Sequence, residues 1–98
     1  MVMIRTMKYI TLSDLAAELN IKNEVEFLFF WDNTNDNNGT FLFCNEERLQ
    51  GLIEYVKYLE ETNPNHRYLQ RAKNEIRAIN LLRTKYGITD KIFVVYFD

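Results

Sequence analysis

The most regular hydrophobic pattern in the chain lies between Pro64 and Tyr86. Apolar side chains recur there at three- and four-residue steps, so they share one face of an α-helix. These side chains are Tyr68, Leu69, Ala72, Ile76, Ile79 and Tyr86. Asn63 suits an N-cap, Pro64 suits the first helical position, and Gly87 suits the left-handed residue that ends a helix. The pattern therefore predicts a helix over residues 64–86.

The same periodicity predicts a second helix over residues 46–61. Asn45 can cap its start, and the acidic residues Glu46 and Glu47 favour the positive end of the helix dipole. The apolar stripe of this helix consists of Leu49, Leu52, Ile53, Val56 and Leu59. Since only a short link separates it from the helix over 64–86, we expect the two to form an antiparallel helical hairpin.

A short helix is predicted over residues 12–20. Thr11 can cap its start, with Asp14 three residues later, and Asn20 can take the left-handed exit. Residues 15–21 resemble the first half of a helix-turn-helix motif, in which a small residue packs at the helix crossing. The residues that follow are acidic and then apolar, whereas a recognition helix is polar and basic. We therefore expect the short helix to serve ordinary packing.

Short runs rich in aromatic and β-branched residues predict the strands. One run covers residues 25–31, and the next, over 40–44, follows a turn of Asp and Asn residues that ends in an Asn-Gly pair. Asn-Gly is a strong hairpin signal, so we expect a hairpin over 25–44. A final strand is predicted over 91–97, and a weaker alternation indicates a strand within residues 1–10.

We expect residues 1–98 to form a single α+β domain, since this length supports one modest core. The predicted architecture is a two-layer sandwich with a small, mainly antiparallel sheet, made of the hairpin 25–44 and the strand 91–97. The helical hairpin would cover one face of that sheet. The strands are apolar at odd and even positions alike, whereas a sheet with one wet face alternates. Either the helix over 12–20 or a second copy, in a homo-oligomer, is expected to cover the other face.

Composition is typical of a folded globular protein, with 47% hydrophobic and 14% aromatic residues. Apolar runs such as Phe27 to Trp31 are far shorter than the roughly 20 residues of a membrane span. The first eight residues lack the pattern of a signal peptide. Cys44 is the sole cysteine, so it cannot form an intramolecular disulfide. We therefore expect a cytoplasmic protein that does not associate with membranes.

The net charge of −2 is unevenly distributed. Residues 1–66 carry five basic and eleven acidic side chains, and residues 67–98 carry seven and three. Most of the basic excess lies on the predicted helix over 64–86. Its candidate binding residues are Arg67, Arg71, Lys73 and Arg77. One interpretation is a solvated face whose positive charges balance the acidic remainder of the chain. The other is a docking face for nucleic acid or an acidic protein surface.

Candidate catalytic and metal chemistry is sparse. Cys44 ends an apolar strand, where a small buried hydrophobic residue is expected. The single histidine, His66, lies in the first turn of a predicted helix, where a surface or capping role is expected. The Asp- and Asn-rich turn 32–39 does not fit the spacing of an EF-hand calcium loop. The sequence has no Gly-rich phosphate loop and no Cys/His zinc cluster. We expect no catalytic residue, metal or cofactor.

The leading hypothesis is a small non-enzymatic interaction protein, a regulator or inhibitor that binds a macromolecular partner, with another protein as the expected partner. The abundance of Asn, Lys, Ile, Phe and Tyr, which AT-rich codons tend to encode, indicates an AT-rich bacterium or its phage as the source, so the hypothesis includes a phage or mobile-element origin. The alternative hypothesis is a nucleic-acid-binding protein that uses the basic helix 64–86. Its affinity would fall steeply with salt, because phosphate contacts release counterions.

Overall fold

Three helices and three short strands make up the described part of the chain. The structure is a computed structural model that describes residues 9–22 and 39–96. The predicted strand over 25–31 and the Asp- and Asn-rich turn 32–38 lie outside the described residues. In chain order the elements are β1 (Tyr9–Thr11), α1 (Leu12–Leu19), β2 (Gly39–Phe43), α2 (Glu46–Thr62), α3 (Tyr68–Tyr86) and β3 (Lys91–Val95).

The sheet is mixed, with β3 at its centre. β1 pairs parallel to β3 and β2 pairs antiparallel to it, which gives the strand order β1-β3-β2. The α+β class and the packing of helices on a small sheet are confirmed. The parallel pairing is a feature that the expected, mainly antiparallel sheet did not include. β1 and β3 lie far apart in the chain, so no local pattern could signal their pairing.

One face of the sheet and the three helices enclose the core. Ile10, Leu42, Ile92 and Val94 point to this face, and each is at most 6% exposed. The helices supply the opposite side of the same cluster, with Leu12, Leu15, Leu19, Leu49, Leu52, Val56, Ala72, Ile79 and Leu82. Full burial of one such Leu or Ile side chain stabilises a fold by about 1.5–3 kcal/mol, so this cluster is the main source of stability.

Local signals in the sequence set the ends of α1. Oγ1 of Thr11 accepts a hydrogen bond from the backbone N–H of Asp14 at 3.1 Å. Asn20 takes the left-handed conformation, with φ of 57°, and its backbone N–H donates to the carbonyl of Ala17. The predicted helix is therefore confirmed, with Asn20 as its cap.

α2 and α3 form the predicted helical hairpin. Oδ1 of Asn45 accepts from the backbone N–H of Arg48 at 2.8 Å, and Gly87 ends α3 with φ of 69°. Three ion pairs join the two helices. The later a residue lies in α2, the earlier its partner lies in α3. The helices therefore run antiparallel. The pairs are Arg83 with Glu46, Arg48 with Glu75, and Lys73 with Glu60.

The start of α3 differs from the prediction. Asn63 ends α2 instead of capping α3, and its carbonyl accepts a hydrogen bond from the backbone N–H of His66 at 3.0 Å. α3 begins at Tyr68, whose backbone N–H donates to Nδ1 of His66 at 3.0 Å. Pro64 lies in the turn between the helices, because its fixed φ suits a turn as well as a first helical position.

Candidate functional site

The outward face of the sheet is rich in exposed aromatic side chains. Tyr9 on β1 is 60% exposed, and Phe41 and Phe43 on β2 are each 45% exposed. The half-buried Phe93 on β3 lies between Tyr9 and Phe41 in the strand register. We call Tyr9, Phe41, Phe43 and Phe93 the aromatic face. These side chains alternate with the buried residues of the same strands, so the pleat that fills the core also exposes them.

Two ring contacts order the centre of the aromatic face. The rings of Phe41 and Phe93 lie edge to face, with centres 5.1 Å apart and planes at 73°. Nζ of Lys91 lies 4.6 Å from the centre of the Phe41 ring, in a cation–π contact. Because Phe41 is already held from two sides, it would lose less side-chain entropy on binding a partner.

A groove of about 530 Å³ lies between β1, α1 and the end of α3, and we call it the β1–α1 groove. All three residues of β1 line it, together with Asp14, Ala17 and Glu18 of α1 and Tyr86 of α3. Asp14 and Glu18 are four residues apart, so they lie on the same side of the helix. The groove therefore has a strand along one wall and two carboxylates on the other.

Two groups from the end of α3 hold the carboxylate of Glu18. Nζ of Lys85 donates to its Oε1 at 2.6 Å, and the hydroxyl of Tyr86 donates to the same oxygen at 2.7 Å. These hydrogen bonds lower the pKa of the Glu18 carboxyl below its ordinary value. The bonds to Glu18 also raise the pKa of Lys85 and that of Tyr86. Glu18 thus stays ionised, and Tyr86 is fixed as one wall of the groove.

The Glu18→Gln variant should be less stable than the wild type at neutral pH. A carboxyl whose pKa is lowered on folding stabilises the fold above its ordinary value of 4.5, and this contribution disappears as the pH falls through the folded-state pKa. The urea midpoint of the wild type should exceed that of the variant at about pH 7, and the gap should narrow at a pH well below 4.5. An equal gap at both pH values would show that the charge of Glu18 does not contribute.

The candidate binding residues at the start of α3 lie around Tyr68. Arg71 is 8% exposed, contrary to the exposed position expected for it, and its guanidinium lies 5.8 Å from the centre of the Tyr68 ring. Arg67 is exposed, and its guanidinium lies 4.7 Å above the same ring. The structure therefore brings Arg67 and Arg71 together on one tyrosine, with Arg71 largely removed from solvent.

The other two candidate binding residues, Lys73 and Arg77, contact neighbouring helices. Lys73 pairs with Glu60 of α2 at 3.1 Å. Arg77 donates to the backbone carbonyl of Leu19 at the end of α1, where a cation stabilises the negative end of the helix dipole. Arg71 is buried in between, so the four residues do not form one continuous exposed surface. This geometry favours the interpretation that the basic residues compensate negative charge within the same chain.

Comparison with known proteins does not assign a function to these surfaces. No protein-family model, curated protein or solved structure matches the chain. The aromatic face and the β1–α1 groove, together with the charges around them, are therefore the observations from which function is inferred.

Cys44 and His66 both occupy structural positions. Cys44 is fully buried, and burial raises the pKa of its thiol to about 11, so it carries almost no thiolate at neutral pH. Nδ1 of His66 accepts the backbone N–H of Tyr68, which is the capping role expected for it. Within residues 9–22 and 39–96, no cluster of His, Cys, Asp or Glu is arranged to hold a metal ion. No helix in those ranges is long and apolar enough to cross a membrane.

Sequence reasoning missed a buried ion pair inside the helical hairpin. Glu75 is fully buried, and its Oε2 lies 2.9 Å from Nε and 2.7 Å from Nη2 of Arg48. A signal was present, because Glu75 follows Ala72 by three residues and precedes Ile79 by four, at the spacing of the core stripe. A lone acid inside an apolar stripe indicates a buried charge with a partner.

Proposed function

We propose that this protein is a small non-enzymatic interaction protein, a regulator or inhibitor, that binds a protein partner through the aromatic face. The observation that carries the proposal is the exposure of Tyr9, Phe41 and Phe43 on one face of a sheet whose other face is packed. Contiguous exposed apolar surface commonly marks an interaction site. Aromatic side chains also contribute disproportionately to the binding energy at protein interfaces.

The charges near the aromatic face favour a protein over a polyanion. Lys91 is the cation in contact with Phe41, whereas the groove beside Tyr9 presents Asp14 and Glu18. Phosphate groups would be attracted to Lys91 and repelled by Asp14, whereas the charge of Glu18 is already paired with Lys85. We place the protein in the cytoplasm, in keeping with a single cysteine, and retain a phage or mobile-element origin as part of the proposal.

Site-specific photocross-linking in cells that carry the gene naturally tests this proposal. The Phe41→p-benzoylphenylalanine variant places a photoreactive ring on the aromatic face. The matched control places the same group at Tyr58 on α2, which is 61% exposed and belongs to no strand of the sheet. Light should give a discrete cross-linked product from position 41 and none from position 58. Both variants must first show the circular dichroism spectrum and urea midpoint of the wild type.

The mass of the cross-linked product identifies the partner. A product that contains another protein supports the proposal as stated. A product of twice the mass of the chain itself identifies a homo-oligomer joined through the sheet face, which would replace the proposed partner with a second copy. Equal products from positions 41 and 58, or no product from either, would contradict a binding role for the aromatic face.

We propose nucleic-acid binding through α3 as the second candidate function, since Arg67 at its start and Arg77 within it are exposed. A fluorescent mixed-sequence duplex and single strand, titrated over a salt series, provide the test. Affinity should fall steeply with salt and drop in the Arg67→Glu variant. The Lys57→Glu variant, altered at an exposed position of α2, should bind as the wild type does. No binding at low salt would reject this candidate.

A further inference from the structure

In the part of the chain that the structure describes, one edge of β1 has no strand beside it. Within residues 9–22 and 39–96, the strand that pairs with β1 is β3, which occupies one of its two edges. The other edge therefore has backbone N–H and C=O groups with no strand beside them in those ranges, and all three residues of β1 line the groove. An exposed edge of this kind readily accepts an added strand from another chain.

The groove has the size and the surface of a binding site. Its volume of about 530 Å³ falls within the roughly 300–1,000 Å³ that is typical of ligand sites. Ile10 and Ala17 contribute apolar surface, and Tyr9 and Tyr86 contribute aromatic rings. The hydrogen bond from Tyr86 to Glu18 fixes one of those rings before any ligand arrives. An extended peptide could therefore enter without first reorganising that wall.

The two carboxylates of the groove differ in their contacts. Glu18 is already bonded to Lys85 and Tyr86. Asp14 is exposed one turn earlier on the same side of α1, and no cation of the described residues pairs with its carboxylate. A basic side chain entering the groove would complete a pair with Asp14, and the ring of Tyr9 could contact its aliphatic stem or its cationic head.

We propose that the partner protein adds an extended segment to the free edge of β1 and places a Lys or Arg side chain on Asp14. This inference rests on the proposed protein-binding function and names the chemistry of the partner. The added strand continues the row formed by Tyr9, Phe93 and Phe41, so its outward side chains lie beside Tyr9 and join the aromatic face. Nucleic acid fits this groove poorly, because the carboxylate of Asp14 repels phosphate and the charge of Glu18 is already paired with Lys85.

Selection of peptides on the immobilised full chain tests the inference. A displayed library of random ten-residue peptides should yield sequences that alternate β-branched or aromatic residues with polar ones and carry one Lys or Arg. The dissociation constant of the best peptide is then measured for the wild type and two variants. Asp14→Asn should weaken binding about tenfold, through the loss of a charge-assisted hydrogen bond. Glu54→Gln, at an exposed acid on α2, should leave binding unchanged.

Two changes to the peptide separate the charge contact from the strand pairing. Citrulline in place of Arg, or norleucine in place of Lys, removes the charge while retaining most of the length. Either substitution should weaken binding of the peptide to the wild type about tenfold. It should have little additional effect on binding to the Asp14→Asn variant, which has already lost the charge contact. N-methylation of the alternate backbone amides that face β1 should abolish measurable binding, whereas methylation of the other set should be tolerated.

The outcomes distinguish this inference from the function on which it rests. No enriched peptide, or a peptide whose binding ignores both Asp14 and its own backbone amides, would overturn the inference. If position 41 still cross-links another protein in that case, the proposed function stands and the partner binds by a different route. If neither a peptide nor a cross-linked product is found, both the inference and the proposed function are wrong.

Discussion

The Arg48→Met variant should be less stable than the wild type by about 3 kcal/mol or more in its free energy of unfolding. Nη2 of Arg48 lies 2.7 Å from Oε2 of Glu75, and the Glu75 side chain is fully buried. Removal of this cation leaves a carboxylate with less compensation in a site that water does not reach, and such a charge is costly to bury. Urea denaturation at about pH 7, followed by circular dichroism, measures the difference.

Variants on the other side of the pair provide the control. Glu75→Gln should cost less than Arg48→Met, because the Arg48 side chain is 34% exposed and water can still solvate its guanidinium. The double variant Arg48→Met/Glu75→Leu should recover most of the loss, since apolar residues often replace a buried ion pair without cost. A double variant as unstable as Arg48→Met alone would show that the loss came from repacking and not from the charge.

The Gly39→Ala variant should lose about 2 kcal/mol of stability, within the usual range for overpacking a well-filled site. A Cβ atom at Gly39 would overlap the backbone carbonyl oxygen of Val94 and lie 2.9 Å from Cε2 of Phe93. The carbonyl belongs to β3, so it cannot move aside without disturbing the pairing with β2. Thermal or urea denaturation measures the loss, and cross-linking from position 41 reports whether the aromatic face is disturbed as well.

Gly51 offers a matched control of opposite sign. It lies inside α2, and an added Cβ meets nothing within 4 Å. Gly51→Ala should therefore raise stability by about 0.5–1 kcal/mol, because Ala loses less backbone entropy than Gly when it enters a helix. If Gly39→Ala proved as harmless as Gly51→Ala, the close approach of β2 and β3 at Gly39 would not be a constraint on the sequence.

Local chemistry was enough to predict the helices of this fold. Thr11 and Asn45 accept the backbone hydrogen bonds expected of helix caps, and Asn20 and Gly87 take the left-handed conformation expected after a last turn. Such signals involve neighbours within a few residues, so the sequence displays them directly. The start of α3 escaped prediction because the turn before it uses the imidazole of His66 as an acceptor, which the usual capping preferences do not include.

The candidate site was less accessible to prediction, because its parts come together only in three dimensions. The uneven charge along the chain pointed to the basic helix, and the structure joins Lys73 to α2 and Arg77 to α1. A count of charges cannot show which of them meet. The apolar character of both strand faces did indicate an exposed sheet surface. The β1–α1 groove is lined by β1, α1 and Tyr86, and Tyr86 lies far from the other two in the sequence.

The central position of β3 has a consequence for how the protein is made. β3 is the last of the six described elements to be translated, yet β1 and β2 each pair with it and not with each other. A nascent chain can form its helices early, since their hydrogen bonds are local, whereas the sheet must wait for residues 91–95 to leave the ribosome. Until then Ile10 and Leu42 have no central strand to pack beside, and the chain is most exposed to aggregation. A premature stop codon before Lys91 would therefore yield a chain that contains the three described helices but cannot build this sheet.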